Sequence, residues 1–327
     1  MLHPIRKRIP EGVITMKNLI AAAALAVALM PGMASAHDKL TVLLDWFVNP
    51  DHAPLVVAKH TGIFDRHELL VDLIAPADPN DPPKLVAAGK ADVAISYQPQ
   101  LHVQVAQGLP LRRFGTLIAT PLNSLVVLRD GPIKSVGDLK GKKIGYSVGG
   151  FEDALLKTML EQYGLKLSDV TLVNVNFALS PSIFAGKVDA TIGAFRNFEL
   201  NQMDIAGKPG RAFYPEDFGV PLYDELILVA HKDKLKDDRL MRLLDALEEA
   251  VALMHNEPQK SWQAFIKESK SLDDELNRRA WAATLPRFAQ APRALDGRRY
   301  SRFADYLVKQ GLIPKALPVA DYAIELR

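Results

Sequence analysis

No cysteine occurs anywhere in the 327 residues. Disulfides are therefore excluded, together with thiolate metal sites, a cysteine nucleophile and a lipid anchor carried on an N-terminal cysteine. The signatures of a zinc protease and of a serine hydrolase, H-E-x-x-H and G-x-S-x-G, are missing too, and the eight histidines show no metal-ligand spacing. Neither sign of charge dominates: 40 Lys and Arg stand against 38 Asp and Glu, and the basic residues are spread along the chain. That leaves no electrostatic footprint for nucleic acid. No metal and no cofactor is expected.

Long apolar runs are also scarce. One exists, Leu19 to Met30, and it falls short of the roughly 20 residues that span a bilayer. It follows Lys17 and precedes Pro31, Gly32 and the small-residue end Ala34-Ser35-Ala36, the pattern of a secretory signal peptide cleaved after Ala36. Translation then starts at Met16 or at Met1, with residues 1–15 an upstream extension. His37 to Arg327 is expected as a periplasmic, monomeric protein with no stable membrane insertion.

The full chain is 48% hydrophobic, and His37 to Arg327 is longer than a usual single domain, so two lobes are expected. Short β-rich runs alternate with helical ones, which predicts an α/β architecture with mostly parallel sheets. Strands are expected at Lys39 to Trp46, Leu70 to Pro76 and Ala91 to Tyr97, with helices between them. The pattern restarts after Gly131 with "KKIGYS", "VTLVNVN" and "VDATIGAF", and "LVAAGKADVAISY" is echoed by "SIFAGKVDATIGAF". Residues 37–128 and 230–327 are predicted to form lobe I and residues 129–229 lobe II. Crossings are expected near Leu125 to Arg129 and Leu226 to His231, and the mostly helical tail is expected to return to the first lobe.

Between such lobes, strand ends and helix starts converge on a ligand cleft. "LLDWFVNPDHAPLVVAKHTGIF" (Leu43 to Phe64) puts Asp45, Trp46, Asn49 and His52 on one strand-to-helix turn. Trp46 offers a flat face for a heteroaromatic ring, Asp45 and Asn49 offer partners for ring nitrogens, and His52 serves as donor or acceptor. Asp51 is assigned to capping the next helix. "SVGGFEDALL" brings Gly149 and Gly150, which allow close backbone approach, and Phe151 and Glu152 at a helix start. "GAFRNFELNQ" brings Phe195, Asn197 and Glu199, a carboxylate suited to an aminopyrimidine edge. Ser96 and Tyr97, and farther along Tyr223 and Glu225, are expected as cleft wall. Each of these has a plain structural alternative: core, cap, or solvated helix start.

At these residues the chain resembles the thiamine-pyrimidine precursor branch of periplasmic solute-binding proteins, the ThiY type, over nearly all of the exported part. The resemblance implies a type II periplasmic-binding-protein fold. It also implies delivery of a formylaminopyrimidine to an ABC transporter permease for thiamine salvage, without catalysis. Relatives on the same fold accept other flat heterocycles such as riboflavin, or sulfonates. Eukaryotic pyrimidine synthases share the fold too; they carry a lysine where this chain has Ser96 and a cysteine-rich iron loop near Pro221 to Glu225. This chain has neither, so the resemblance implies binding rather than synthesis.

Overall fold

A computed structural model describes Met1 and residues 37–327. The expected signal peptide and its cleavage site lie outside the described residues. Among the described residues, ten strands form two five-stranded sheets. In chain order they are β1 (Asp38–Leu43), β2 (Leu69–Ile74), β3 (Val93–Ser96), β4 (Leu111–Ile118), β5 (Asn123–Leu128), β6 (Lys143–Tyr146), β7 (Thr171–Asn174), β8 (Ala190–Phe195), β9 (Gly210–Phe213) and β10 (Leu226–His231).

The first sheet has the order β2-β1-β3-β10-β4 and the second β7-β6-β8-β5-β9. Each has three parallel strands, β2-β1-β3 in one and β7-β6-β8 in the other, followed by an antiparallel strand received from elsewhere in the chain. Both sheets therefore follow one plan, and the echo between the halves is structural. Covered on both faces, β3 (VAIS) and most of β10 (LILVAH) read as unbroken apolar runs and are buried along nearly their whole length.

Strand exchange moves the lobe boundaries. Asn123–Leu128, placed in lobe I by the sequence reading, is β5 and pairs with β8 and β9 in the second sheet. Leu226–His231 is β10 of the first sheet, so its first four residues belong there rather than to lobe II. The crossings are the short 119–122 link and the segment before Leu226. Arg113 to Asp130 is nearly continuous in apolar residues, so only Pro121 and Asn123 mark the change of sheet in the sequence. Strand β9 was missed as well; GRAF is only four residues long and half-buried.

Helix Ala53–His60 starts with Pro54 in its first turn and buries its first six residues against helix Asp238–Asn256. The latter presents Leu240, Leu243, Leu244, Leu247, Val251 and Met254 at helical spacing to the core. The tail thus packs on the first sheet as its pattern suggested. It also reaches the second lobe, where the Tyr306 hydroxyl meets that of Thr158 at 2.5 Å. Among the described residues, no helix is long and apolar enough to cross a membrane.

Candidate functional site

Strand β1 delivers Asp45 into the interior, where it is 3% exposed. The Tyr97 hydroxyl donates to its Oδ2 at 2.8 Å, and His52 Nε2 lies 2.8 Å from its Oδ1. His52 Nδ1 accepts the Asn49 N–H at 3.4 Å, so the proton sits on Nε2 and is donated to Asp45. His52 is wholly buried behind Asp45 and does not line the cavity, contrary to its assignment as a ligand contact.

Asn49 lines the cavity as expected but also takes the capping role that had been assigned to Asp51. Asn49 has extended backbone (φ −150°, ψ 177°) and caps the turn Pro50–His52: its Oδ1 accepts the Asp51 N–H at 2.7 Å and its amide donates to the Phe47 carbonyl at 3.1 Å. It borders the cavity with both polar ends engaged. Asp51, already inside the turn, cannot cap it, and its side chain reaches the cavity instead. Its Oδ1 accepts from the Asn197 amide at 2.6 Å and from the Thr284 hydroxyl at 3.1 Å. Burial pushes its pKa up to about 6.

Trp46 is half-buried and lines the cavity. The ring of Phe177, from the second lobe, meets it edge to face at 4.6 Å and 75°. Phe177 was missed, since one Phe in a loop carries no periodic signal. The neighbouring Asn176 holds a φ of 50°, a left-handed conformation that Asn tolerates.

In the second lobe, Phe151 and Glu152 open the helix Glu152–Glu161 and both line the cavity. Glu152 Oε2 accepts the N–H groups of Ser147 at 2.8 Å and Val148 at 3.1 Å, while burial pushes the carboxyl up to about 8. Gly193 on β8 makes room for it: φ is +99°, and a Cβ there would strike the Glu152 carboxylate. At the end of β8, Glu199 Oε2 accepts the Phe195 N–H at 2.6 Å. Burial, with Asp51 nearby as a lesser cause, raises Glu199 to about 8. Tyr97 packs its ring 5.3 Å from Phe151 and edge-on to Phe195 at 6.4 Å, so aromatics of both lobes meet.

These side chains enclose a cavity of about 420 Å³, mouth included. The first lobe contributes Asp45, Trp46, Asn49, Asp51 and Tyr97; the second contributes Phe151, Glu152, Leu179, Gly193, Phe195, Phe198 and Glu199. Besides His52, six expected residues lie elsewhere. Ser96 is buried and donates to Gln100 at 3.0 Å. Gly149 and Gly150 line a separate hollow with Asn80 and Gln100, where the Gly149 N–H donates to Asn80 Oδ1 at 3.2 Å across the lobes. Asn197 bridges to Asp51 and Thr284 rather than facing the cavity.

Tyr223 and Glu225 belong to the crossings. Glu225 Oε2 accepts the N–H groups of Leu122 at 2.5 Å and Asn123 at 2.8 Å and the Tyr223 hydroxyl at 3.2 Å, tying one crossing to the other. Arg196 holds the carbonyls of the same two residues. Sequence position beside a crossing suggested cleft wall; full burial makes the pair part of the joint.

Four carboxyl groups and several aromatic faces therefore surround the space, and among the described residues no Lys, Arg or His lines it. Such a lining suits a flat guest rich in hydrogen-bond donors and repels an anion. Among the described residues, no group of three or more His, Asp or Glu side chains is arranged to hold a metal ion.

Two like sheets exchanging strands around a cavity make the periplasmic-binding-protein fold of two α/β lobes. The solved alkanesulfonate-binding protein SsuA from Xanthomonas axonopodis pv. citri has this fold, with a TM-score of 0.69 over 87% of this chain and 97% of that one at 18% identity. More specifically, residues 49–261 match the family described as NMT1/THI5 like, and the chain belongs to it. It is 52% identical over 313 residues, 95% of its length and all of the relative's, to a Haemophilus influenzae protein named "Putative thiamine biosynthesis protein". It is 36% identical to the formylaminopyrimidine-binding protein of Halalkalibacterium halodurans over 60% of each chain. Identity to the 4-amino-5-hydroxymethyl-2-methylpyrimidine phosphate synthase of Schizosaccharomyces pombe is 26% over 85% of this chain and 83% of that one.

Proposed function

We propose that this chain is a periplasmic binding protein that captures a thiamine-related aminopyrimidine, such as a formylaminopyrimidine, and hands it to the permease of an ABC importer. The observation that carries the reading is the cavity's lining: Trp46, Tyr97, Phe151 and Phe195 offer ring faces, and Glu199, Glu152 and Asp51 offer carboxylates. An aminopyrimidine edge pairs a donor amine with a ring nitrogen, which a carboxylate engages through two hydrogen bonds once that nitrogen is protonated. The 36% identity to a formylaminopyrimidine-binding protein supports the same class of guest. Lobes from both sides of the cavity exclude water, which strengthens each polar contact inside. The protein acts as a monomer, and export through the leader places it beside the permease.

Two other readings share the fold. Sulfonates fit poorly, because a sulfonate would face Asp45, Asp51, Glu152 and Glu199 with no cationic side chain in the lining. Pyrimidine synthesis from pyridoxal phosphate and a histidine is not favoured: Ser96 replaces the lysine, lies off the cavity and is bonded to Gln100. The chain also has no cysteine for the iron loop.

Thermal denaturation with formylaminopyrimidine, hydroxymethylpyrimidine, thiamine, riboflavin and taurine tests the proposal. A guest present at a hundred times its Kd stabilises by about 2.7 kcal/mol, a clear rise in melting temperature. The pyrimidines are expected to give that rise and taurine none. A shift with riboflavin or taurine alone would replace the reading. A visible-absorbing adduct with pyridoxal phosphate would reopen synthesis.

A further inference from the structure

We propose that Phe47 is a positioning residue that latches the two lobes together beside Trp46 and so sets how long a bound pyrimidine stays, without touching the guest. The inference rests on the pyrimidine reading and adds to it a residue that governs release.

Solvent comes nearest to the cavity at Trp46. Of the residues that line the space, only Trp46 and Phe195 are not buried, and Phe195 packs against the apolar core. The wall next to Trp46 is built of rings. Phe47 follows Trp46 in the loop, does not line the cavity and has its centroid 5.7 Å from the Trp46 ring. On the second lobe it meets Phe198 at 6.0 Å and 61° and Phe177 at 6.4 Å and 58°. These separations and tilts lie in the range where the edge of one ring attracts the face of another. Phe177 also stands off the cavity, against Trp46.

Both rings sit on backbone that is held in place by other groups. The Asn49 amide donates to the Phe47 carbonyl at 3.1 Å. The Ser147 hydroxyl donates to the carbonyl of Asn176, whose own N–H donates to Asn174 Oδ1 at 2.8 Å. Phe47 is 42% exposed, so its ring does little to fill the core of the first lobe. Its aromatic contacts beyond Trp46 are with the second lobe. A guest lined by both lobes leaves when they part, and parting breaks the Phe47 pairs. Contacts made only after the lobes close act on dissociation far more than on association.

Stopped-flow tryptophan fluorescence on the full exported chain tests this, with the N-formyl derivative of 4-amino-5-aminomethyl-2-methylpyrimidine and with the 5-hydroxymethyl compound. Phe47→Ala is expected to release either compound about tenfold faster, with association changed by less than about threefold. The factor should be the same for both, since Phe47 touches neither. Phe47→Tyr keeps the ring and should restore slow release. Phe177→Ala should act in the same direction and serves should the first variant not fold. The double variant should fall short of the product of the two single effects, because each removes the same cross-lobe pair. An unchanged dissociation rate in folded Phe47→Ala protein, or a loss of affinity carried by association, overturns the latch while leaving the pyrimidine reading intact. Simple multiplication of the two single effects overturns it as well. Failure of the unaltered chain to bind either compound overturns the pyrimidine reading and this inference with it.

Discussion

At the end of β1 the carboxylate of Asp45 is gripped by two side chains, His52 and Tyr97, whereas in the other lobe Glu152 and Glu199 are held by backbone N–H groups alone. Side-chain donors reach both oxygens of Asp45 and use up its capacity. Backbone donors approach Glu152 and Glu199 from one side and leave an oxygen of each to the cavity. The first arrangement builds a rigid wall that braces Trp46 next to it in sequence; the second builds acceptors that a guest completes. Asp51 stands between the two, belonging to the first lobe but anchored partly from the second through Asn197.

The contrast is sharpest in the pH dependence of stability. Glu152 and Glu199 rise from an ordinary 4.5 to about 8 in the fold, and Asp51 from 3.8 to about 6. Within those windows the folded chain holds more protons at these groups than the unfolded one, so their contribution to stability is full below about 4 and is lost as pH climbs to about 8. Urea denaturation should show that decline, several kcal/mol in extent, and the Glu152→Gln, Glu199→Gln double variant should flatten it. A decline that persists in the double variant would assign it to other groups.

Next in size is Asp45→Ala. It leaves the His52 N–H and the Tyr97 hydroxyl buried without partners, and should cost about 3 kcal/mol of unfolding free energy by the same measurement. If Glu199→Ala cost as much, the distinction between a structural and a receptive carboxylate would vanish. Glu199→Gln should instead leave stability near pH 8 unchanged or higher while weakening pyrimidine binding by about 2 kcal/mol in calorimetry. Trp46→Ala carries the smallest effect, about 1 kcal/mol of binding beyond the lost area, read by the same titration. Affinity unaltered in that variant would return Trp46 to a purely structural role against Phe177.

Much of the site was legible because the fold concentrates it at strand ends. Trp46, Asp45, Tyr97, Phe151, Glu152, Phe195 and Glu199 all lie at or within a few residues of a strand end, and they meet in one cavity. Asp51 was misassigned because it and Asn49 are both good caps by composition, and only the backbone angles at Asn49 separate the cap from its neighbour. His52 and Glu225 are polar residues beside a cleft in sequence, yet both point inward to satisfy other groups. Ser96 is the same case, one residue before Tyr97 on a strand whose alternate side chains face opposite ways.

By itself the chain determined its α/β grammar, its repeated lobe plan, the absence of thiol chemistry and the turns that carry aromatic and acidic residues together. These are local properties, set by periodicity and by residue type within a few positions. Which strand belongs to which sheet, which oxygen of each carboxylate stays uncommitted, and the approach of Phe177 and Asn197 to the first lobe were decided only by the tertiary structure. Each depends on groups that are distant in sequence, as Asn197 is from Asp51 and Thr284, and such contacts exist only once the two sheets have exchanged strands and closed on each other.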